Sequence, residues 1–79
     1  MAKLFSATLQ NARLNSSALN SITMIGAKAG AADFKNANLD YANLAMADLS
    51  HSDLKGSSMN GVLEKDTIYD GANLEGISK

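Results

Sequence analysis

The chain has 79 residues, of which 46% are hydrophobic, and its seven basic and eight acidic side chains give a net charge of −1. This composition predicts one small soluble domain over residues 1–79. It shows neither the positive charge of a nucleic-acid-binding protein nor a long apolar segment for a membrane. The sequence contains no cysteine, which excludes disulfides and thiolate metal sites.

An apolar residue recurs at every fifth position from Leu4 almost to the C-terminus, with Glu64 and Lys79 as the exceptions. Nine of the ten leucines share one of the five possible phases, whereas about two would do so by chance. The position two residues earlier is also small or apolar, as Ala42 is before Leu44. A five-residue period fits neither an α-helix nor an unbroken strand, because both would turn successive leucines to different sides. It favours very short extended segments, separated by corners, that wind around one continuous core.

Residues 1–31 carry the apolar positions alone, and a fuller motif appears from residue 32. The motif occurs as Ala32-Asp33-Phe34, Ala37-Asn38-Leu39, Ala42-Asn43-Leu44, Ala47-Asp48-Leu49, Ser52-Asp53-Leu54 and Ala72-Asn73-Leu74. It resembles the Ala-(Asp/Asn)-Leu-x-x unit of the pentapeptide-repeat family. The resemblance implies an all-β fold, a right-handed quadrilateral β-helix (solenoid) with four pentads in each coil. The chain is then long enough for about four coils.

Several large apolar residues fall at positions that the repeat turns outward. Phe5 and Ile25 share one outward column, and Tyr41 and Met46 lie in neighbouring corner positions. Scattered apolar residues are normal on a protein surface, but four within one region favour a contact surface. We therefore predict a protein interface formed by Phe5, Ile25, Tyr41 and Met46.

Residues 50–53 combine the residue types of a nucleophilic catalytic site in the order Ser50-His51-Ser52-Asp53. Neighbouring residues on an extended segment point to different sides, whereas a catalytic triad requires groups that converge in space. His51 is therefore predicted to be a solvated surface residue. The sequence indicates no catalytic site, and it implies no cofactor or metal.

The repeat is interrupted near residues 60–71. Glu64 occupies a core position, while Leu63 and Ile68 lie one residue out of phase with the other leucines. Because an unpaired buried carboxylate is unfavourable, we expect the chain to slip by one residue here, in a bulged corner or a short helical turn that caps the solenoid. A weaker alternative is a cation-binding loop formed by Glu64, Asp66 and Asp70.

The two ends of a short solenoid expose unpaired strand edges that invite another chain. We therefore expect a homodimer or a subunit of a larger assembly, with a protein as the partner rather than nucleic acid or a membrane. The repeat begins by Leu4, which leaves no room for a signal peptide, so a cytoplasmic location is expected.

Two functions remain open from the sequence. The first is a non-enzymatic structural or protein-protein interaction module. The second follows from the resemblance alone, because some pentapeptide-repeat proteins imitate a DNA duplex, bind a DNA topoisomerase and protect gyrase. The near-neutral charge and short length disfavour this second function, since such mimicry requires a long negative surface.

Overall fold

The computed structural model describes residues 3–79. Along this range every fifth residue forms a parallel bridge to the residue twenty positions further on. The bridges form four ladders. Ladder 1 joins Lys3, Thr23, Asn43 and Leu63; ladder 2 joins Thr8, Lys28, Asp48 and Ile68; ladder 3 joins Arg13, Asp33, Asp53 and Asn73; ladder 4 joins Ala18, Asn38, Ser58 and Ser78. The described residues contain no strand longer than one bridge and no helix.

The chain is therefore a β-helix whose turns repeat every twenty residues. We divide the described chain into the first coil (residues 3–20), two central coils (21–40 and 41–60) and the final coil (61–79). Stacked positions are four pentads apart along the chain. The extents of the molecule are 26 × 21 × 21 Å.

The core lies along the axis of the coils, where the two apolar positions of each pentad face inward. The side chains of Phe34, Leu39, Leu44, Leu49 and Leu54 are at most 1% exposed. Two serines replace alanine in this interior, and the Ser52 hydroxyl donates to the carbonyl of Leu49 at 2.7 Å. The five-residue period therefore builds one continuous stack of buried side chains, in which each coil contacts its neighbours.

Each corner is a two-residue turn whose second residue has a positive φ. In the corner after Leu44, the N–H of Ala47 donates to the carbonyl of Leu44 at 2.9 Å, and φ of Met46 is 59°. This combination is typical of a type II turn, which favours glycine at that position. Ten of the corners nevertheless place a residue other than glycine there.

The Asp or Asn of the motif stabilises the corner that follows it. Asp33 Oδ1 accepts a hydrogen bond from the backbone N–H of Lys35 at 2.9 Å, and Asp48 Oδ1 accepts one from Ser50 at the same distance. Asn38, Asn43, Asp53 and Asn73 make the equivalent bond. These Asx turns hold an N–H that makes no bond between coils, which explains why the motif requires a short side-chain oxygen at this position.

The predicted slip near residues 60–71 is wrong. Leu63 and Ile68 bridge Asn43 and Asp48 with the same offset of twenty residues as elsewhere, so the register is unbroken. Both therefore project outward, and Glu64 keeps the inward position that Leu44 occupies one coil earlier. An interior position in the final coil is only partly buried, and Lys79 pairs with the Glu64 carboxylate. Glu64 is therefore not an unpaired buried charge, and no slip is needed to expose it.

Candidate protein-binding surface

The four residues of the predicted interface lie near ladder 1. Phe5, Ile25 and Met46 occupy the corner between ladders 1 and 2, and Tyr41 occupies the corner on the other side of ladder 1. Phe5, Tyr41 and Met46 are 56%, 68% and 59% exposed, whereas Ile25 is half-buried. These four residues therefore lie along the two margins of ladder 1 rather than in a single stripe.

Two further apolar residues in this region are exposed, although the sequence pattern did not predict them as part of the surface. Leu63, 60% exposed, projects from ladder 1, and Ile68, 42% exposed, projects from ladder 2 in the same coil. The corner that carries Met46 lies between these two ladders, one coil earlier. Leu63 and Ile68 hold the position of Asp or Asn in the motif, which is the signal that could have placed them outside.

We call Tyr41, Met46, Leu63 and Ile68 the apolar ridge. Because its members lie on ladders 1 and 2 and on the corners beside them, the ridge is convex rather than flat. Phe5 and Ile25 extend it along the shared corner toward the first coil. The apolar side chains are thus gathered on part of the circumference, where exposed patches mark contact sites in other soluble proteins.

Two residues of the ridge have a backbone conformation that is unfavourable for them. Tyr41 and Met46 have φ values of 62° and 59°, and a left-handed residue other than glycine is destabilised by roughly 1–2 kcal/mol. Surrounding structure has to hold such residues in place. The Tyr41 ring is further positioned by Gly61, because a Cβ added to Gly61 would lie only 2.6 Å from Tyr41 Cδ1.

The side of the molecule formed by ladders 3 and 4 is polar. Lys35 Nζ lies 3.0 Å from Asp33 and 3.5 Å from Asp53, and Lys55 Nζ lies 3.6 Å from Glu75. The backbone and side-chain hydrogen bonds from Lys35 hold the pKa of Asp33 below its usual value. These charge pairs give this side a well-solvated surface that contrasts with the ridge.

In the final coil, Glu64 and Lys79 occupy two of the inward positions that hold apolar core residues in the preceding coil. Glu64 accepts hydrogen bonds from the Tyr69 hydroxyl at 2.8 Å and from Lys79 Nζ at 2.7 Å, and Lys79 also lies 5.7 Å from the centre of the Tyr69 ring. Partial burial alone raises the pKa of Glu64, but the hydrogen bonds from Lys79 and Tyr69 outweigh it and lower that pKa. Burial and the neighbouring carboxylate both raise the pKa of Tyr69. This cluster lies at one end of the apolar core, in the same coil as Leu74, which is 40% exposed.

The other candidate sites do not assemble. Ser50 donates its hydroxyl to Asp48 at 2.5 Å, Ser52 is buried, and His51 is exposed on a corner, so these groups do not converge. The final coil does not bring Glu64, Asp66 and Asp70 together, since residues 3–79 hold no group of three metal-binding side chains. No cavity opens within this range either.

A membrane-spanning helix is not found within residues 3–79.

Comparison with known proteins agrees with this architecture. The family model described as "Pentapeptide repeats" matches eight copies within residues 19–56. A search of curated proteins by sequence gives no significant match.

Two solved structures resemble the chain over nearly its full length. One is a pentapeptide repeat protein (Rfr23) from the cyanobacterium Cyanothece 51142, with a TM-score of 0.58 and 28% identity over 96% of this chain. The other is HetL, a pentapeptide repeat protein involved in heterocyst differentiation regulation from the cyanobacterium Nostoc sp. strain PCC 7120, with a TM-score of 0.59 and 25% identity over 95% of this chain. The chain spans 63% and 39% of the length of these two proteins. The chain thus contains pentapeptide repeats over residues 19–56 and resembles pentapeptide repeat proteins over nearly its full length, as the motif in its sequence predicted.

Proposed function

We propose that this chain is a non-enzymatic protein-interaction module that binds a protein partner through the apolar ridge. The observation that carries the proposal is the exposure of Tyr41, Met46 and Leu63 on one region of the surface. Large apolar and aromatic side chains supply most of the binding energy in protein interfaces. The proposal includes the right-handed quadrilateral β-helix as the rigid support and a cytoplasmic location.

The support under the ridge favours binding with little rearrangement. Backbone hydrogen bonds join every pair of neighbouring coils, and the Tyr41 ring rests against Gly61. A side chain whose position is already restricted loses less conformational entropy when a partner covers it. The convex shape suits a partner that offers an apolar groove.

The topoisomerase alternative gains no support from the structure. Asp33 and Asp53 are both paired with Lys35, and the net charge of the chain is −1. A surface that imitates the phosphates of a DNA duplex requires a continuous run of unpaired negative charge. HetL is described as involved in regulation, and a binding module without catalysis is compatible with a role of that kind.

Capture from a lysate of the source cells tests the ridge. The wild-type protein should retain one or more specific proteins, and the variant Tyr41→Lys/Leu63→Lys should lose them. A matched control is Asn15→Lys/Ala18→Lys, which adds the same two charges at exposed positions away from the ridge. This control should retain the same proteins as the wild type.

Thermal unfolding of all three proteins shows whether the fold is kept, since substitution of exposed residues changes stability by about 0.5 kcal/mol or less. If the ridge variant captures the same proteins as the control, the ridge is not the binding surface.

A further inference from the structure

The backbone hydrogen bonds between coils point mainly in one direction. In the pentad around Leu44, the N–H groups of Leu44 and Met46 donate to the following coil at 2.7 and 2.9 Å, whereas the N–H of Asn43 donates to the preceding coil at 2.9 Å. The pentads of the central coils repeat this pattern. In each of these pentads, two N–H groups donate toward the final coil and one N–H group donates toward the first coil.

This asymmetry gives the two ends of the β-helix different chemistry. The end formed by the first coil presents two backbone carbonyls outward for each N–H, and the end formed by the final coil presents two N–H groups for each carbonyl. Aligned peptide groups produce a partial charge at each end of a stack, as they do in an α-helix. In this fold the positive end is at the final coil.

The side-chain charges of the two end coils oppose the backbone polarity. Residues 3–20 carry two cations, Lys3 and Arg13, and no acidic residue. The final coil carries four acidic residues, Glu64, Asp66, Asp70 and Glu75, against the two cations Lys65 and Lys79. One end coil therefore has a charge of +2 and the other a charge of −2.

We propose that two copies of this chain associate head to tail, with the first coil of one copy stacked on the final coil of the next. Only this orientation sets the carbonyl-rich end against the N–H-rich end and the cationic coil against the anionic one. A head-to-head pair would set cationic coils and backbone acceptors against each other, and a tail-to-tail pair would set anionic coils and backbone donors against each other. The association uses the axial faces of the end coils, whereas the apolar ridge lies on the circumference and includes Leu63 and Ile68 of the final coil.

The same contact leaves a free end of each kind, so it does not close into a dimer. A heterologous interface of this type adds further copies along the axis. With extents of 26 × 21 × 21 Å, one end offers only about 500 Å² to a partner, below the size of stable interfaces. The stacking is therefore weak, and it is sensitive to salt because charge contributes to it.

Sedimentation velocity tests the proposal with the full chain, from about 10 μM to about 1 mM, the range of weak association. The average mass should keep rising with concentration, and added salt should reduce it. A protein that stays monomeric over the whole range, or whose mass levels off at a dimer, would overturn the proposal.

Charge reversal at the two ends gives a sharper test. Lys3→Glu/Arg13→Glu makes both ends anionic, and Asp70→Lys/Glu75→Lys makes both ends cationic. Each variant alone should associate about tenfold more weakly than the wild type, because like charges then meet. An equimolar mixture of the two variants should recover association, since every contact again joins opposite charges.

Lys28→Glu/Lys55→Glu is the matched control, because it changes the net charge by the same amount outside the end coils. It should associate more strongly than Lys3→Glu/Arg13→Glu. Equal weakening in these two variants would show that net charge alone governs association. A mixture that associates no better than its components would exclude head-to-tail stacking. Circular dichroism confirms that each variant is folded.

Discussion

The central coils, residues 21–60, and the final coil, residues 61–79, share one backbone register but distribute their side chains differently. In the central coils the inward residues are almost fully buried and, apart from Ser52 and Ser57, apolar, and polar residues such as Asp48 and Asp53 project outward. In the final coil Glu64 takes an inward position, while Leu63 and Ile68 project outward.

The difference shows what holds the register. The backbone hydrogen bonds between coils continue unchanged past Leu63 and Ile68, with N···O distances of 2.7 and 2.8 Å from Leu44 and Leu49. A change of polarity at individual positions did not shift the chain. The final coil has a neighbour on one side only within the described structure, so its interior positions remain partly solvated and can hold a charged pair. Its outward apolar residues became part of the candidate binding surface.

The largest expected effect is the difference in stability between two substitutions, one at a buried leucine of a central coil and one at the exposed leucine of the final coil. Leu49→Ala should lower the free energy of unfolding by about 2–5 kcal/mol, because it leaves a cavity in the closed interior. Leu63→Ala should change it by no more than about 0.5 kcal/mol, since that side chain is exposed. Chemical denaturation measures both values. If Leu63→Ala lowers the free energy of unfolding as much as Leu49→Ala does, the result would contradict the unbroken register. It would support the slipped register, in which Leu63 belongs to the core.

A smaller effect is expected at the corner that joins the two regions. Gly61 has φ of 70°, and Tyr41 covers its Cα. Gly61→Ala should destabilise the protein by about 1–2 kcal/mol through backbone strain, with a further loss from displacement of the Tyr41 ring.

Gly30→Ala is the matched control, because its Cβ would lie 3.6 Å from the Ser50 carbonyl oxygen, an ordinary contact, at a position without positive φ. It should be neutral or should stabilise the protein by up to about 1 kcal/mol. The part of the Gly61 effect that depends on Tyr41 is measured by repeating Gly61→Ala in a Tyr41→Ala background. If Gly61→Ala is as well tolerated as Gly30→Ala, the corner does not hold Tyr41 as described.

The smallest effect concerns the polar cluster of the final coil. Glu64→Gln removes the ion pair with Lys79 and should lower the free energy of unfolding at pH 7 by no more than about 1 kcal/mol. The pKa of Glu64 in the folded protein lies below its usual value of 4.5. Its stabilising contribution is therefore complete above that pH and is lost as the pH falls through the lowered pKa.

Denaturation at pH 7 and at pH 3 compares the wild type with Glu64→Gln. The difference between the two proteins should be larger at pH 7 than at pH 3. Glu75→Gln is the comparison variant, since the Glu75 side chain is 73% exposed and 3.6 Å from Lys55, and it should have the weaker effect at pH 7. A difference at Glu64 that grows on acidification would contradict the assigned ion pair.

Much of the fold could be predicted from the repeat, because a five-residue period has few physical solutions. The family resemblance and the inward leucines were predicted and are present. The outward positions of Phe5, Tyr41 and Met46 were predicted and are exposed, Ile25 is half-buried, and Leu63 and Ile68 were misplaced. The error came from treating Leu63 and Ile68 by their hydrophobicity rather than by their position in the motif.

The sequence by itself determined which side of each pentad faces the core, because a side chain two residues from another on a short extended segment must share its side. It also determined the Asx turns, which depend on residues only two positions apart. Only the tertiary structure decided what becomes of Glu64. Its environment depends on Tyr69 and Lys79, which lie five and fifteen residues further along the chain, and on how far the neighbouring coil covers it. Burial and pairing of this kind arise only when the coils stack, so they cannot be predicted from neighbouring residues in the sequence.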